Sequence, residues 1–405
     1  MKKIIFIILS FIAFWTCQKL DPLKPTDELS MNYGKLVEDT LYSTADTFLV
    51  NDRINTYSAI KLCIGNYENF ESAILLKFID LPDSGTIVDS IAIEFSTLSV
   101  QGEASADMQV ALYKVDNEWY ENANTEDQWH SFNPTTEIGT IHIPSEDSTR
   151  VKFEITDTTV INEWISDGLY NNGLYLKCIN PGINYIREIA SMEYGVDSLA
   201  PQITIRYWSV SDSTFITDTT YIGLDATIFN NNGNDLFDRA KTNHDILVAS
   251  GIGARTYLQF HDLNMLPQNI VIQKADLYLP ISDNSFTNPG QPNNFDNRNN
   301  PQAFYINLVA DSGDVLTTTE LDSVYLNLVS LAATDSIVQT NSSSNRAWLG
   351  KYFIQSIVND DINSEWLSIQ FADEGQDLSI KRFKRLSESP ARLVIKYFQV
   401  EQTGF

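Results

Sequence analysis

The chain has little sulfur and little positive charge. Three cysteines and four histidines in 405 residues rule out a disulfide-stapled scaffold, and they make zinc sites built from Cys and His a poor prospect. Only 27 Lys and Arg stand against 53 Asp and Glu, a formal charge of -26. Nucleic-acid binding draws its affinity from basic groups that displace counterions from phosphate, so DNA and RNA are excluded as partners. The chain lacks His-Glu-x-x-His, Gly-x-Ser-x-Gly and Walker motifs, and Gly251-Ile252-Gly253 runs into a strand pattern instead of a helix. Acidic residues are so numerous that a pair of them in sequence does not point to a glycosidase. The sequence therefore reads as that of a protein without catalytic activity.

Long hydrophobic runs are missing too, with one exception. Lys2 and Lys3 precede an apolar stretch from Ile4 to Trp15, and Cys17 follows. That stretch is too short to span a bilayer, which takes about 20 residues, so it reads as the core of a signal peptide over 1–16. Phe14-Trp15-Thr16-Cys17 resembles a loosened lipobox. On that reading Cys17 carries a lipid and 17–40, polar and containing Pro22 and Pro25, is a tether. The chain would then stand in the cell envelope as an outer-membrane lipoprotein, periplasmic or surface-exposed, touching the membrane through its anchor alone. Export would permit a disulfide between Cys63 and Cys178, although both lie in strand-like segments where cysteine is commonly a small buried apolar group.

What the rest of the chain has in plenty is short runs of Val, Ile, Leu, Phe and Tyr between turns of Asn, Asp, Gly and Ser. That pattern predicts an all-β protein. In Ile91-Ala92-Ile93-Glu94-Phe95 the residues at 91, 93 and 95 share one face, as a half-buried strand requires. The order of elements then repeats. Leu75-Leu76-Lys77-Phe78 is answered by Tyr257-Leu258-Gln259-Phe260, Leu81-Pro82 by Leu266-Pro267, and Gln202 to Tyr207 by Arg392 to Tyr397. The offset is that of a whole domain, so the prediction is two tandem jelly-roll-like antiparallel β-sandwiches, 41–208 and 221–405. Ser209 to Thr220, rich in Ser, Thr and Asp, reads as a linker that could also extend the preceding strand. Each copy offers one short helix. Asp157-Thr158 would cap the first, with Val160, Ile161, Trp164 and Ile165 on one face, and the second would carry Tyr352, Phe353, Ser356, Ile357 and Asp360. Ser282 to Pro301, rich in Asn and Pro, is an insertion in the second copy.

The ordered set Asp46-Thr47-Phe48, Leu75-Leu76-Lys77-Phe78, Leu81-Pro82, Ile87 to Phe95, Trp119-Tyr120-Glu121 and Asn172-Gly173-Leu174-Tyr175-Leu176 resembles the DNRLRE-type domains that include carbohydrate-binding module family 96. The resemblance covers the first copy and, more loosely, the second, which has no clear counterpart of Trp119-Tyr120-Glu121. It implies a jelly-roll-like sandwich that serves as an accessory module on exported proteins touching polysaccharide. Polysaccharide is thus the expected partner. A structural or adhesion role, or a place as a subunit of an envelope assembly with a protein partner, is the alternative.

Sugar sites stack aromatic rings on the apolar faces of pyranose rings and fix hydroxyls with polar groups. Trp119, Tyr120, Trp129 and His130 lie in a stretch rich in Asn, Asp and Glu and are the candidate ligand residues, although a Trp there also suits a loop clamped onto the sandwich. Asn230, Asn232, Asn234 and Asp235 concentrate the oxygen ligands that Ca²⁺ prefers, without the spacing of an EF-hand; a solvated turn suits them equally.

Overall fold

The computed structural model describes most of residues 34–399; residues 1–33 and 400–405, the internal stretches 51–55, 122–131, 167–170, 231–239, 283–301, 310–319, 330–336 and 340–348, and some shorter ones fall outside the described residues. The chain opens with β1 (Lys35–Tyr42) and β2 (Ala45–Val50). The first repeat follows: β3 (Lys61–Tyr67), β4 (Phe70–Phe78), β5 (Ile87–Gly102), β6 (Met108–Lys114), β7 (Glu137–Ile143), β8 (Arg150–Ile155), helix α1 (Thr159–Ser166), β9 (Leu174–Cys178), β10 (Tyr185–Ala190) and β11 (Gln202–Ser209). A long strand, β12 (Thr214–Asn230), comes next. The second repeat holds β13 (Asp245–Ala249), β14 (Ala254–Gln259), β15 (Ile270–Leu279), β16 (Gln302–Val309), β17 (Glu320–Val329) and β18 (Ile337–Gln339). It continues through a π-helical turn (Leu349–Ile354), helix α2 (Gln355–Val358), β19 (Trp366–Phe371), β20 (Ile380–Lys384) and β21 (Arg392–Gln399). The protein is all-β with one short helix in each repeat.

Every strand pairing is antiparallel. In the first unit the order is β12-β11-β5-β10-β3-β4-β9-β6-β7, with β8 on β5. β12 pairs with β11 along its first half and with β4 along its second, crossing from one layer to the other at a shift near Gly223. In the second unit the order is β1-β21-β15-β18-β17-β16-β19-β14-β13-β20, with β2 also on β14.

Three expectations need correction. Residues 35–40 are not tether but strand. Residues 41–50 precede the first repeat yet pair within the second unit, Leu41 opposite Leu393 and Asp46 opposite Leu258. Ser209 to Thr220 is no linker: β11 and the start of β12 form a hairpin with Ser209 opposite Thr214, and its Phe215, Ile216 and Thr217 continue the sheet. The β-branched and aromatic content of that stretch outweighs its turn-like Ser and Asp, because pairing with β11 satisfies its backbone groups.

Two cores result. Leu62, Ile64, Ile74, Phe78, Ile91, Phe95 and Trp164 belong to the first, and Leu258, Phe260, Leu277, Phe304, Phe353 and Leu393 to the second. Cys63, Tyr67, Phe70, Ile186 and Phe229, from strands of the first unit, join the second cluster. This is why β3 and β10 show no alternation of buried and exposed residues: Leu62 and Ile189 face the first core while Cys63 and Ile186 face the second. A strand buried on both faces loses its period of two. Cys63 and Cys178 are both free thiols.

The α1 helix starts as its sequence requires. The Asp157 carboxylate accepts from Thr159 N–H at 3.0 Å and from the Thr159 hydroxyl, and these bonds hold its pKa below the usual carboxylate range. Val160, Ile161, Trp164 and Ile165 are buried, as their spacing predicts. In the second repeat Ile357 and Val358 are buried in α2, and Asp360 lies beyond the helix with φ +61°. No helix among the described residues is long and apolar enough to cross a membrane.

Candidate functional site

The loop after β6 was the sequence's best ligand patch, and Trp119 there is turned inward. It is 4% exposed and packs with Ala73, Leu75, Tyr175, Ala226 and Ile228 on the outer face of the β12-β4-β9-β6 sheet. Its indole N–H donates to the Asn172 carbonyl at 2.7 Å. Gly173, at φ +84°, lets the chain entering β9 lie close against β4: a Cβ there would stand 2.1 Å from the Leu76 carbonyl oxygen. Trp119 therefore clamps its loop to the sheet, the alternative that the sequence offered beside ligand stacking. The cause is the sheet beneath it, whose row Ala226, Leu75, Tyr175, Tyr113 is apolar and aromatic across four paired strands. Tyr120 is 61% exposed. Trp129 and His130 lie outside the described residues.

Glu121, in the same loop, reaches β12. Its carboxylate accepts from Asp225 N–H at 3.1 Å, and Asp225 Oδ2 accepts from Met192 N–H at 2.9 Å. Asp225 is 1% exposed and its Oδ1 has no partner. Burial pushes its carboxyl up to about 8, with Glu193 and Glu121 adding to the rise and the Met192 N–H opposing it. Burial also raises Glu121.

The same sheet face in the second unit has a different character. The row equivalent to Ala226-Leu75-Tyr175-Tyr113 is Thr47, Tyr257, Ser368 and Asn307, each opposite the next. In the neighbouring row Tyr305 stands opposite Gln370 and Arg255 opposite Leu49. Arg255 grips Glu374 with two bonds, Nε to Oε1 at 3.1 Å and Nη2 to Oε2 at 2.6 Å, the fork geometry of a strong ion pair. Tyr257, Ser368 and Asn307 are buried, while Arg255, Tyr305 and Gln370 are half-buried and reach the rim. Four polar atoms here have no hydrogen-bond partner: both amide atoms of Asn307, Ser368 Oγ and Gln370 Oε1. Each such buried group costs about 1–3 kcal/mol until a water or ligand satisfies it.

A pocket of about 300 Å³ opens beside α2. Leu263, Leu266, Ile357 and Val358 make its floor, and at its edge Gln268 Nε2 donates to Asp360 Oδ2 at 3.2 Å. Nearby, Glu365 gathers Gln259, His261 and Asn264. Burial opposes its ionisation, but the bonds from His261, Gln259 and Asn264 outweigh it and hold the pKa low, while the bond to Glu365 raises His261. These polar groups satisfy one another.

For calcium, Asn230 is the one candidate ligand within the described residues, and its amide donates to Glu71 at 3.2 Å. Asn232, Asn234 and Asp235 lie outside them. Among the described residues no three or more His, Cys, Asp and Glu side chains come together as metal ligands. Sequence reasoning missed the polar face because Asn307 and Ser368 occupy positions that alternate with apolar ones, the pattern of ordinary solvent-facing sites. No family model and no curated protein matches the chain.

Proposed function

We propose that this is an exported, lipid-anchored, non-catalytic envelope protein that binds polysaccharide on the outer face of its second unit. One observation carries the reading: Asn307, Ser368 and Gln370 hold four unpartnered polar atoms together on a face that also bears Tyr257 and Tyr305. Sugar hydroxyls both donate and accept, so they match an amide and a hydroxyl that need both, and tyrosine rings pack on the apolar side of a pyranose. A glycan would approach over the half-buried Tyr305 and Gln370 and present its hydroxyls to Asn307 and Ser368. Asn307 and Ser368 are closed to solvent in the free protein, so the reading requires this row to open on binding, and it favours a chain end or branch over a long chain lying flat. The signal-like N-terminus and the resemblance to carbohydrate-binding module family 96 support it.

The test is affinity electrophoresis of the chain from Gln18 onward against neutral and acidic polysaccharides, with calcium and with chelator. Retardation that vanishes in Asn307→Leu and Ser368→Ala but survives in Tyr120→Ala is the expected result. If Tyr120→Ala abolishes retardation and the other two leave it intact, the site belongs to the first unit. The second reading, an assembly subunit, is favoured by how the N-terminal strands pair, and absence of retardation across the panel would leave that reading in place.

A further inference from the structure

Residues 39–51 and 218–230 are in step at a constant offset: Asp39 with Asp218, Thr40 with Thr219, Tyr42 with Tyr221, Asp46 with Asp225 and Asn51 with Asn230. In sequence each segment precedes its repeat. In space they are crossed. β12, which precedes the second repeat, completes the first unit along β11 and β4. β1 and β2, which precede the first repeat, complete the second unit along β21 and β14.

The two closures match bond for bond. The Tyr207 hydroxyl donates to Asp218 at 2.6 Å, and the Tyr397 hydroxyl donates to Asp39 at 2.6 Å. Met192 N–H donates to Asp225, and Leu386 N–H to Asp46. The second groove adds charge recognition of its own, Lys396 on Glu38 and Arg385 on Asp46 at 3.5 Å. Leu41 and Phe48 fill the second core. The strand partners of β1 and β2 all belong to the second unit, although the core that Leu41 and Phe48 enter also takes in Cys63, Tyr67, Phe70, Ile186 and Phe229 from the first.

From this we infer that 35–50 is a donor segment, which the second unit accepts from its own chain or from another copy of the same chain. The partner at this edge is thus a second copy of the protein, joined by strand exchange. Exchange conserves every contact named above, because the groove meets the same residues whichever chain supplies them; concentration and the reach of residues 51–55 set the balance, since the Thr56 hydroxyl is bonded to Thr227 of the first unit at 2.8 Å. A protein crowded on a membrane by its anchor would be in the regime that favours the intermolecular form. The inference stands independently of glycan binding.

Thr40 and Val394 face each other in register and neither is buried. The test uses the chain from Gln18 onward with Cys178→Ser throughout, since Cys63 is buried. Thr40→Cys and Val394→Cys single variants are mixed at high concentration and oxidised, and the double variant is oxidised when dilute. The expected results are a bridged heterodimer whose yield rises with concentration, several-fold above a control pair of Thr40→Cys with Asp89→Cys, and a bridged monomer from the double variant. A double variant that does not bridge overturns the pairing itself. A bridging double variant whose singles never exceed the control overturns exchange and leaves an intramolecular clasp.

Discussion

The two units present the same sheet face in opposite states. In the first, Leu75, Tyr175 and Ala226 form a dry surface and Trp119 seals it. In the second, Tyr257, Ser368 and Asn307 occupy the matching row with Arg255 beside it; Arg255 is paired with Glu374, while Ser368 Oγ and both amide atoms of Asn307 lack a partner among the described residues. A repeated backbone thus accommodates both a dry, sealed face and one that buries polar atoms without partners among the described residues. Strand order across this face cannot set the difference, because β12-β4-β9-β6 and β2-β14-β19-β16 correspond. The substitutions Leu75 to Tyr257, Tyr175 to Ser368 and Tyr113 to Asn307 set it.

The largest effect should come from breaking the seal. Trp119→Ala removes a buried indole and its bond to Asn172, and is expected to lower stability by about 3–5 kcal/mol, read as a drop in the urea midpoint. Its cost should be nearly independent of any glycan. If the variant instead keeps its stability and loses glycan retardation, Trp119 is a ligand residue after all and the contrast between the faces is wrong.

A second contrast lies at the ends of the closing strands. Asp225 and Asp46 both accept a backbone N–H from the loop that follows the matching strand, yet Asp46 meets Arg385 while Asp225 meets Glu121 and Glu193. The unfolded Asp225 carboxyl ionises near pH 4, and the folded one near 8. Between those values the native state keeps a proton that the unfolded state has lost, so stability falls as pH rises through that window and levels off above it. Asp225→Asn removes the titrating group. It is expected to flatten this fall and to stabilise the protein by about 2–4 kcal/mol at pH 7, measured by urea unfolding from pH 4 to 9. A variant less stable than the parent at pH 8 would show that Asp225 is ionised and paired in the fold.

Much of this architecture is legible in sequence, and the rest fails for identifiable reasons. Alternation in Ile91 to Phe95 and the repeated order of elements give the all-β fold, because side chains on one sheet face recur with period two. The helical face of Val160, Ile161, Trp164 and Ile165 is equally direct. The crossed closure is not legible, although its two segments share Asp, Thr, Tyr, Asp and Asn at one offset: both grooves want an Asp-Thr-x-Tyr strand, and nothing local says which groove takes which. Trp119 misleads for a related reason. An aromatic in an acidic loop reads the same whether it faces water or a sheet, and the deciding residues, Leu75 and Tyr175, are far away in sequence. Asn307 and Ser368 hide behind a correct rule, since alternating polar positions usually do face solvent.

The smallest effect tests whether the polar face is kept for binding. Asn307 carries a carbonyl oxygen and an amino group without partners, so Asn307→Leu, of the same branching but larger, trades two unsatisfied groups for apolar contact with Tyr257 and Tyr305 across the face. Stability is expected to rise by about 1–3 kcal/mol, seen as a higher urea midpoint. A residue that costs stability and yet serves no ligand has no reason to be polar there, so the rise in stability should arrive together with lost retardation on polysaccharide gels. The same exchange made at Tyr113, its counterpart on the sealed face, should move stability the other way: Tyr113→Asn places an amide beside Tyr175, under the loop that Trp119 clamps. If Asn307→Leu destabilises instead, Asn307 has protein or water partners that bind it firmly, and the second face is as closed as the first.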